Sequence, residues 1–250
     1  MLNAYFVSDI HIGSPTDSRA TLFLQFLKKL TTGEKVSHLF LMGDIFDLWV
    51  AAHQYFIDKY QPITDEIVRL RDKGVEIHYF EGNHDLYLKH YWGDEIGLTV
   101  HEGPSYIKLG QQIVRIEHGD QMDPDDRGYQ FLRWFLRTPP LKFLMPHLPG
   151  RLVVSIGKKS SQTSRIYTSE TKTISREETI RKIRKHAEIV YKEDPFDLII
   201  SGHVHMRDQY LARDGQITFK SVNLGTWLNA PCYYQIDEAG DRFVDLGNVS

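Results

Sequence analysis

The 250-residue chain carries one cysteine, Cys232, which excludes an internal disulfide and fits a reducing compartment. It has no apolar run able to cross a bilayer. The longest apolar-leaning stretch, Leu141 to Gly157, is interrupted by Lys142, His147, Arg151 and two prolines. The start of the chain lacks the basic, then apolar, character of a secretory signal, because Asp9 and His11 interrupt its only apolar run. An excess of either charge is also missing. Thirty basic residues against 33 acidic ones leave a net charge of -3, which argues against a nucleic-acid-coating protein. Neither a phosphate-cradling Walker loop nor a dinucleotide fingerprint occurs. These absences point to a cytoplasmic globular protein whose membrane contact, if any, is peripheral. With 41% hydrophobic and 25% charged residues, a packed core is within reach.

Histidine, by contrast, is abundant, with twelve in the chain. Several sit just after short apolar runs that read as buried strands: Tyr5–Val7, Val36–Met42, Val75–Phe80 and Leu198–Ile200. Helical spacing marks Thr21–Leu30 and Ile57–Arg71, the latter leaving at Asp72-Lys73-Gly74. Beyond Tyr106 hairpins take over, with strands around 107–109, 113–117, 209–212, 217–223, 233–236 and 243–246. An α/β beginning followed by hairpins suggests mixed sheets packed together with helices outside.

Five segments place metal-ligand residue types at strand ends. They are Asp9-Ile-His11, Gly43-Asp44, Gly82-Asn83-His84-Asp85, His118-Gly-Asp120 and Gly202-His203-Val-His205. Each glycine is expected to let the chain turn sharply, so that the next side chain points into a shared crevice. Asp and Asn offer oxygen and neutral His offers nitrogen, a mixture suited to Mn, Fe or Zn and not to calcium. Asp47, Asp85 and Asp120 suit acceptors that orient imidazoles, or equally turn and cap carboxylates. Ser8 and Ser201 read as turn residues, and Cys232 as a buried thiol.

One stretch stands apart. Arg127 to Ser169 holds eight Lys or Arg and no Asp or Glu, interleaved with Phe131, Trp134, Phe135, Leu136, Phe143 and Leu144. It reads as an inserted basic helical cap, broken at Pro139-Pro140 and between Pro146 and Gly150. Such a surface suits acyl chains together with anionic headgroups.

The order D-x-H, G-D, G-N-H-D, H-G-D, G-H-x-H resembles the calcineurin-like metallophosphoesterases. The resemblance implies a four-layer α/β/β/α sandwich over residues 1–250 as one domain, with the cap inserted at about 125–170. It also implies two divalent metal ions. One would take Asp9, His11 and His205, the other Asn83, His118 and His203, with Asp44 bridging. Asp44 and His84 become the catalytic pair, His84 lying beside the leaving group. Two such ions generate hydroxide near neutral pH and neutralise charge on the phosphoryl oxygens.

Within that superfamily the chain is similar to the UDP-2,3-diacylglucosamine hydrolases of lipid A biosynthesis. The carriers are Ser8-Asp-Ile-His11, Gly43-Asp-Ile-Phe-Asp-Leu-Trp49, Asp125-Asp-x-Gly-Tyr129, the basic insert and Leu224-Gly-Thr-Trp227. That family usually uses manganese, with iron and zinc as alternatives here. It cuts a nucleotide-diphospho-lipid to UMP and a lipid monophosphate. The likeness implies substrate contacts at Asn83, His84, Asp126, Tyr129, Lys158, Ser161 and Arg165. It also implies an anionic membrane surface as partner, at the inner face of the cytoplasmic membrane, with no nucleic acid and no obligate protein partner. His84 stands where the family commonly has Arg, and Val204 and Met206-Arg207 replace its usual Thr and Arg-Pro. A nucleotide pyrophosphatase or phosphodiesterase is the alternative enzyme. A non-catalytic scaffold should have lost ligands, and all seven are present.

Overall fold

The computed structural model describes residues 1–33, 35–155, 175–214 and 217–247. In chain order the first half runs β1 (Asn3–Val7), α1 (Ser18–Thr32), β2 (His38–Leu41), β3 (Trp49–Val50), α2 (Gln54–Lys59), α3 (Gln61–Asp72), β4 (Glu76–Phe80), β5 (Asp85–Leu86), β6 (Thr99–His101), β7 (Ser105–Leu109) and β8 (Gln112–Ile116). Then come α4 (Arg127–Leu136), α5 (Pro139–Leu144), α6 (Arg176–Glu193), β9 (Leu198–Ser201), β10 (Asp208–Asp214), β11 (Ile217–Asn223), β12 (Cys232–Asp237) and β13 (Gly240–Asp245).

Among the described residues two main sheets form, ordered β13-β12-β1-β2-β4-β6 and β10-β11-β9-β8-β7, beside a two-stranded sheet of β3 and β5. Period-2 alternation on the strands sorts the layers. Ala4 and Phe6 of β1, Phe40 of β2 and Phe80 of β4 meet Val114, Ile116, Leu198, Ile200 and Val222 between the sheets. Their neighbours Tyr5, Val7, Leu39 and Leu41 point the other way, onto Phe23, Phe26 and Leu27 of α1 and Ile63 and Ile67 of α3. Ile199, between two inward residues of β9, packs with Phe219 against Ala187 and Val190 of α6. Helix, sheet, sheet and helix therefore stack in four layers, as the sequence suggests.

The expected helix over 57–71 is two helices. Pro62, in the first turn of α3, has no N–H to continue α2, so the chain restarts at Tyr60, whose hydroxyl donates to the Ile12 carbonyl at 2.9 Å. The basic stretch folds as α4, α5, a short 3-10 turn at Met145–His147 and a helical piece at 150–155. Val153 is buried, and Leu136, Met145 and Leu148 pack against the α1–α3 side of the core. The remainder of the insert, including Lys158, Ser161 and Arg165, lies outside the described residues.

The strands β1, β2, β4 and β6 run parallel, as do β8, β9 and β11. Their C-terminal ends thus collect on one rim, which is where the five ligand-bearing segments leave the sheets.

Candidate metal centre

Seven side chains converge at this rim. Around Asp9, the Nε2 atoms of His11 and His205 lie 3.0 Å apart, and His205 Nε2 is 3.2 Å from Asp9 Oδ1. Around Asn83, its Oδ1 is 3.1 Å from His118 Nε2 and 2.9 Å from His203 Nδ1. Asp44 stands between the two groups, with Oδ2 3.9 Å from His11 Nε2 and 3.6 Å from His118 Nε2. One ligand atom each from Asp9, His11 and His205 lie within 4.8 Å of one another, and so do those of Asp44, His118 and His203. His84 forms a third such group with His11 and Asp44.

The donor set fits divalent ions. Two imidazole nitrogens at hydrogen-bonding distance satisfy each other only if one holds the proton, whereas a cation between them uses both lone pairs. Asp9 Oδ1 is buried without an aligned hydrogen-bond donor, an orphaned oxygen facing the cluster. His118 donates Nδ1–H to the Met42 carbonyl at 2.9 Å, which turns Nε2 toward the cluster. Burial holds His11 and His203 down to about 4, so both imidazoles are neutral at pH 7, the form that can bind a cation. Burial also opposes charge on Asp9 and Asp44, but the surrounding imidazoles more than offset it, and both carboxyls sit below their usual range. His118 goes the other way: burial is outweighed by Asp44, Asp9 and Asp120, which lift it to about 9.

Each carboxylate is split in function. Asp9 Oδ2 accepts from Ser8 Oγ at 2.6 Å and from the His203 amide at 2.9 Å, tying the β1 loop to the β9 loop. Asp44 Oδ1 accepts from the His84 amide at 2.9 Å, tying the β2 loop to the β4 loop. In both cases the other oxygen is left for the cluster. Ser8, read as a turn residue, thus supports a ligand.

The glycines differ from expectation at two positions. Gly82 and Gly202 have no positive φ. A Cβ at Gly82 would overlap the Asp44 carboxylate, and one at Gly202 the Asp9 carboxylate. Close approach, and not the turn, requires glycine there. The left-handed backbone falls on the ligands themselves: Asp9, His11, Asp44, His203 and His205 have φ of 51, 53, 53, 69 and 55°. Each costs about 1–3 kcal/mol, strain that the surrounding hydrogen bonds must hold.

Three acidic residues resolve differently. Asp85 is wholly buried and accepts from the amides of Asp44, Ile45 and Gly82 and from the Tyr79 hydroxyl, all within 3.0 Å. It orients loops, not an imidazole. Burial and the charge of Asp44 push it up to about 6. Asp47 positions His84 through its backbone carbonyl, which is 2.9 Å from His84 Nδ1, while its carboxylate is 3.9 Å from His11 Nδ1. Asp120 touches no imidazole by hydrogen bond; it accepts from Tyr129 and Arg133. Asp85→Ala should leave four buried donors without an acceptor. We expect a loss of about 3 kcal/mol, or roughly 6–12 °C in melting midpoint by calorimetry. A midpoint within 2 °C of the parent would show that the loops need no such anchor.

Sequence reasoning missed the supports from the far end of the chain. The Asp9 carbonyl accepts from Thr226 Oγ at 3.0 Å and from the Trp227 amide at 3.1 Å, and Trp227 packs edge-on to Phe23. Asn223 Nδ2 donates to the Gly202 carbonyl at 2.8 Å. The available signal was a polar residue closing an apolar strand, Val222-Asn223, beside the conspicuous Leu-Gly-Thr-Trp run. Cys232 is buried as expected, with its thiol pushed up to about 11 by burial.

Of the implied substrate contacts, Asn83 and His84 are in the cluster. The Asp126 carboxylate caps α4 by accepting the Tyr129 amide at 3.1 Å, and the Tyr129 ring tilts against His203 at 5.7 Å. Three of the cap's cations are paired with acids outside the insert. Arg133 is bonded to Asp120, Arg137 lies 3.8 Å from Glu81, and Lys142 pairs with Glu102. Asp120 and Glu81 are buried and Glu102 is exposed. The apolar side chains behave oppositely: Phe131, Trp134, Phe135, Phe143 and Leu144 are exposed, and α4 buries none of its residues.

Residues 2–207 match the family model of calcineurin-like phosphoesterases. The chain belongs to that family. This metal-dependent hydrolase family accounts for the seven-residue cluster at the strand ends. Among curated proteins, the chain is 28% identical to a UDP-2,3-diacylglucosamine hydrolase of Neisseria meningitidis serogroup B, covering 98% of this chain and 99% of that one. It is 23% identical to one of Histophilus somni, covering 98% and 100%. Among solved structures, an archaeal phosphodiesterase shares the fold with a TM-score of 0.52 at 12% identity, covering 98% of this chain and 99% of the other. Among the described residues, no helix is long and apolar enough to cross a membrane.

Proposed function

We propose that this phosphoesterase hydrolyses the pyrophosphate of UDP-2,3-diacylglucosamine, or a similar nucleotide-diphospho-lipid, to UMP and a lipid monophosphate. It would act peripherally at the inner face of the cytoplasmic membrane. The observation that carries the reading is the exposed aromatic face of α4 and α5 on a helix fastened beside the ligand cluster. A small soluble nucleotide gives no reason to keep Phe131, Trp134, Phe135, Phe143 and Leu144 in water, and an acylated substrate does. The names of the curated relatives point the same way.

Asp9, His11 and His205 would hold one divalent ion and Asn83, His118 and His203 a second, with Asp44 placed to touch both. Manganese is the first choice, with iron and zinc as alternatives, since the N/O set does not discriminate. When bound, the pair supplies an activated water and neutralises the phosphoryl oxygens. The chain's own contribution is geometric and protonic. Asp44, bonded through Oδ1 to the His84 amide, fixes the loop that carries Asn83 and His84 relative to the rest of the cluster. His84 donates Nδ1–H to the Asp47 carbonyl, which fixes the orientation of the ring, and its Nε2 would serve the departing oxygen as general acid. Asn83, Asp126 and Tyr129 would contact substrate from the described side. Lys158, Ser161 and Arg165 would do so from outside the described residues.

The triple change Trp134→Ser, Phe135→Ser and Phe143→Ser tests the lipid reading. Partial loss of contact for three such side chains, about 1.5–3 kcal/mol when fully buried, should raise KM for an acylated substrate more than tenfold. Turnover of bis-p-nitrophenyl phosphate should stay within about twofold. Salt-sensitive binding to anionic vesicles should fall in parallel. Equal losses on both substrates would make the aromatic face a mere support of the fold. Arg137 is left intact because it lies against Glu81.

A further inference from the structure

The two halves of the ligand cluster are fastened by different parts of the chain. The Asp9 loop is held by Ser8, Thr226 and Trp227, all within the sandwich. The polar contacts of α4 instead reach the other half. Arg133 Nε donates to Asp120 Oδ2 at 2.6 Å and the Tyr129 hydroxyl donates to the same oxygen at 3.1 Å. Asp120 lies two residues beyond His118 and is almost fully buried. Gln130 adds a bond to the Asp120 carbonyl at 3.4 Å. Positions 129, 130 and 133 share one face of a helix, so the three converge on one residue without distortion. Just past the last turn of α4, Arg137 approaches Glu81, two residues before Asn83, and the Tyr129 ring rests on His203.

We propose that Arg133, Asp120 and Tyr129 form a positioning unit through which α4 holds the Asn83–His118–His203 half in its ion-binding arrangement. Seating of α4 then governs retention of one of the two ions and leaves the other unaffected. The proposal rests on the two-ion reading above. The physical reason is that a buried carboxylate deprived of its guanidinium must move toward water or toward another cation. Asp120 can do so only by dragging the turn that carries His118, and partners that orient metal ligands are worth about 10- to 100-fold in metal affinity.

The test uses the full chain stripped of metal and titrated with Mn2+. Free Mn2+ is read by electron paramagnetic resonance, and bound equivalents by elemental analysis after desalting. The parent should bind two equivalents. Arg133→Met should keep one at parental affinity and weaken the other about tenfold or more. Arg133→Lys should recover part of that loss, since an ammonium can still reach Asp120. Tyr129→Phe, which removes one hydroxyl, should weaken the same equivalent by a smaller factor, and it carries the test if Arg133→Met does not fold. Two equivalents at parental affinity in the variants would overturn the proposal. Equal weakening of both would also overturn it, because a general structural role predicts that outcome. A parent that binds fewer than two ions would instead sink the two-ion reading, and this proposal with it.

Discussion

Asp44→Ala should lose at least about 1,000-fold in kcat on any phosphodiester, with both ions weakened. The carboxylate has two tasks in one side chain. Oδ2 lies within 3.9 Å of ring nitrogens from both halves, and Oδ1 holds the loop that delivers Asn83 and His84. Electrostatic stabilisation at such a centre is commonly worth about 100- to 1,000-fold for a single donor, and here an ion contact and a loop anchor go together. His118→Ala should behave alike, since it removes a ligand atom and leaves the Met42 carbonyl without its donor. Circular dichroism should show that folding survives better than activity. Either variant retaining more than about a tenth of parental kcat, a barrier change below roughly 1.4 kcal/mol, would contradict the assignment.

His84→Ala should lower kcat by about 100- to 10,000-fold while the protein still binds two ions, because a general acid contributes to the step and not to the ligand set. His84→Arg should keep part of the activity if charge beside the leaving group matters more than a transferable proton. The geometry leaves one sharp alternative. His84 shares a ligand-sized space with His11 and Asp44, so loss of metal from the Ala variant would make it a ligand. Elemental analysis beside steady-state kinetics separates the two.

The seven clustered side chains stood out in the sequence because metal chemistry restricts residue types, and the fold brings them together because parallel strands carry their C-terminal ends to one rim. The four layers were expected from the family resemblance, and the alternation that builds them, with Ala4 and Phe6 facing one way and Tyr5 and Val7 the other, shows in the packing. What the sequence hid depends on three-dimensional neighbours. Left-handed backbone at Asp9, His11 and Asp44 is not a property that Asp or His announces. Nothing in the spacing shows that Asp85 collects three amides and a hydroxyl, or that Asp120 faces the cap and not an imidazole. Counting charges within the insert could not show its pairing, since Arg133, Arg137 and Lys142 find their acids far away in sequence, at Asp120, Glu81 and Glu102. The break between α2 and α3 at Pro62 was present in the sequence as a breaker overridden by an apolar period.

The most direct measurement is product analysis by mass spectrometry. Manganese-loaded and chelator-stripped protein are each given UDP-2,3-diacylglucosamine and, separately, a UDP-sugar without acyl chains. The account predicts UMP and the diacylglucosamine monophosphate from the loaded protein, far slower cutting of the unacylated sugar, and no product after stripping. Undiminished turnover in the stripped protein would contradict the metal centre, and equal cutting of both substrates, or release of UDP in place of UMP, would contradict the assigned reaction.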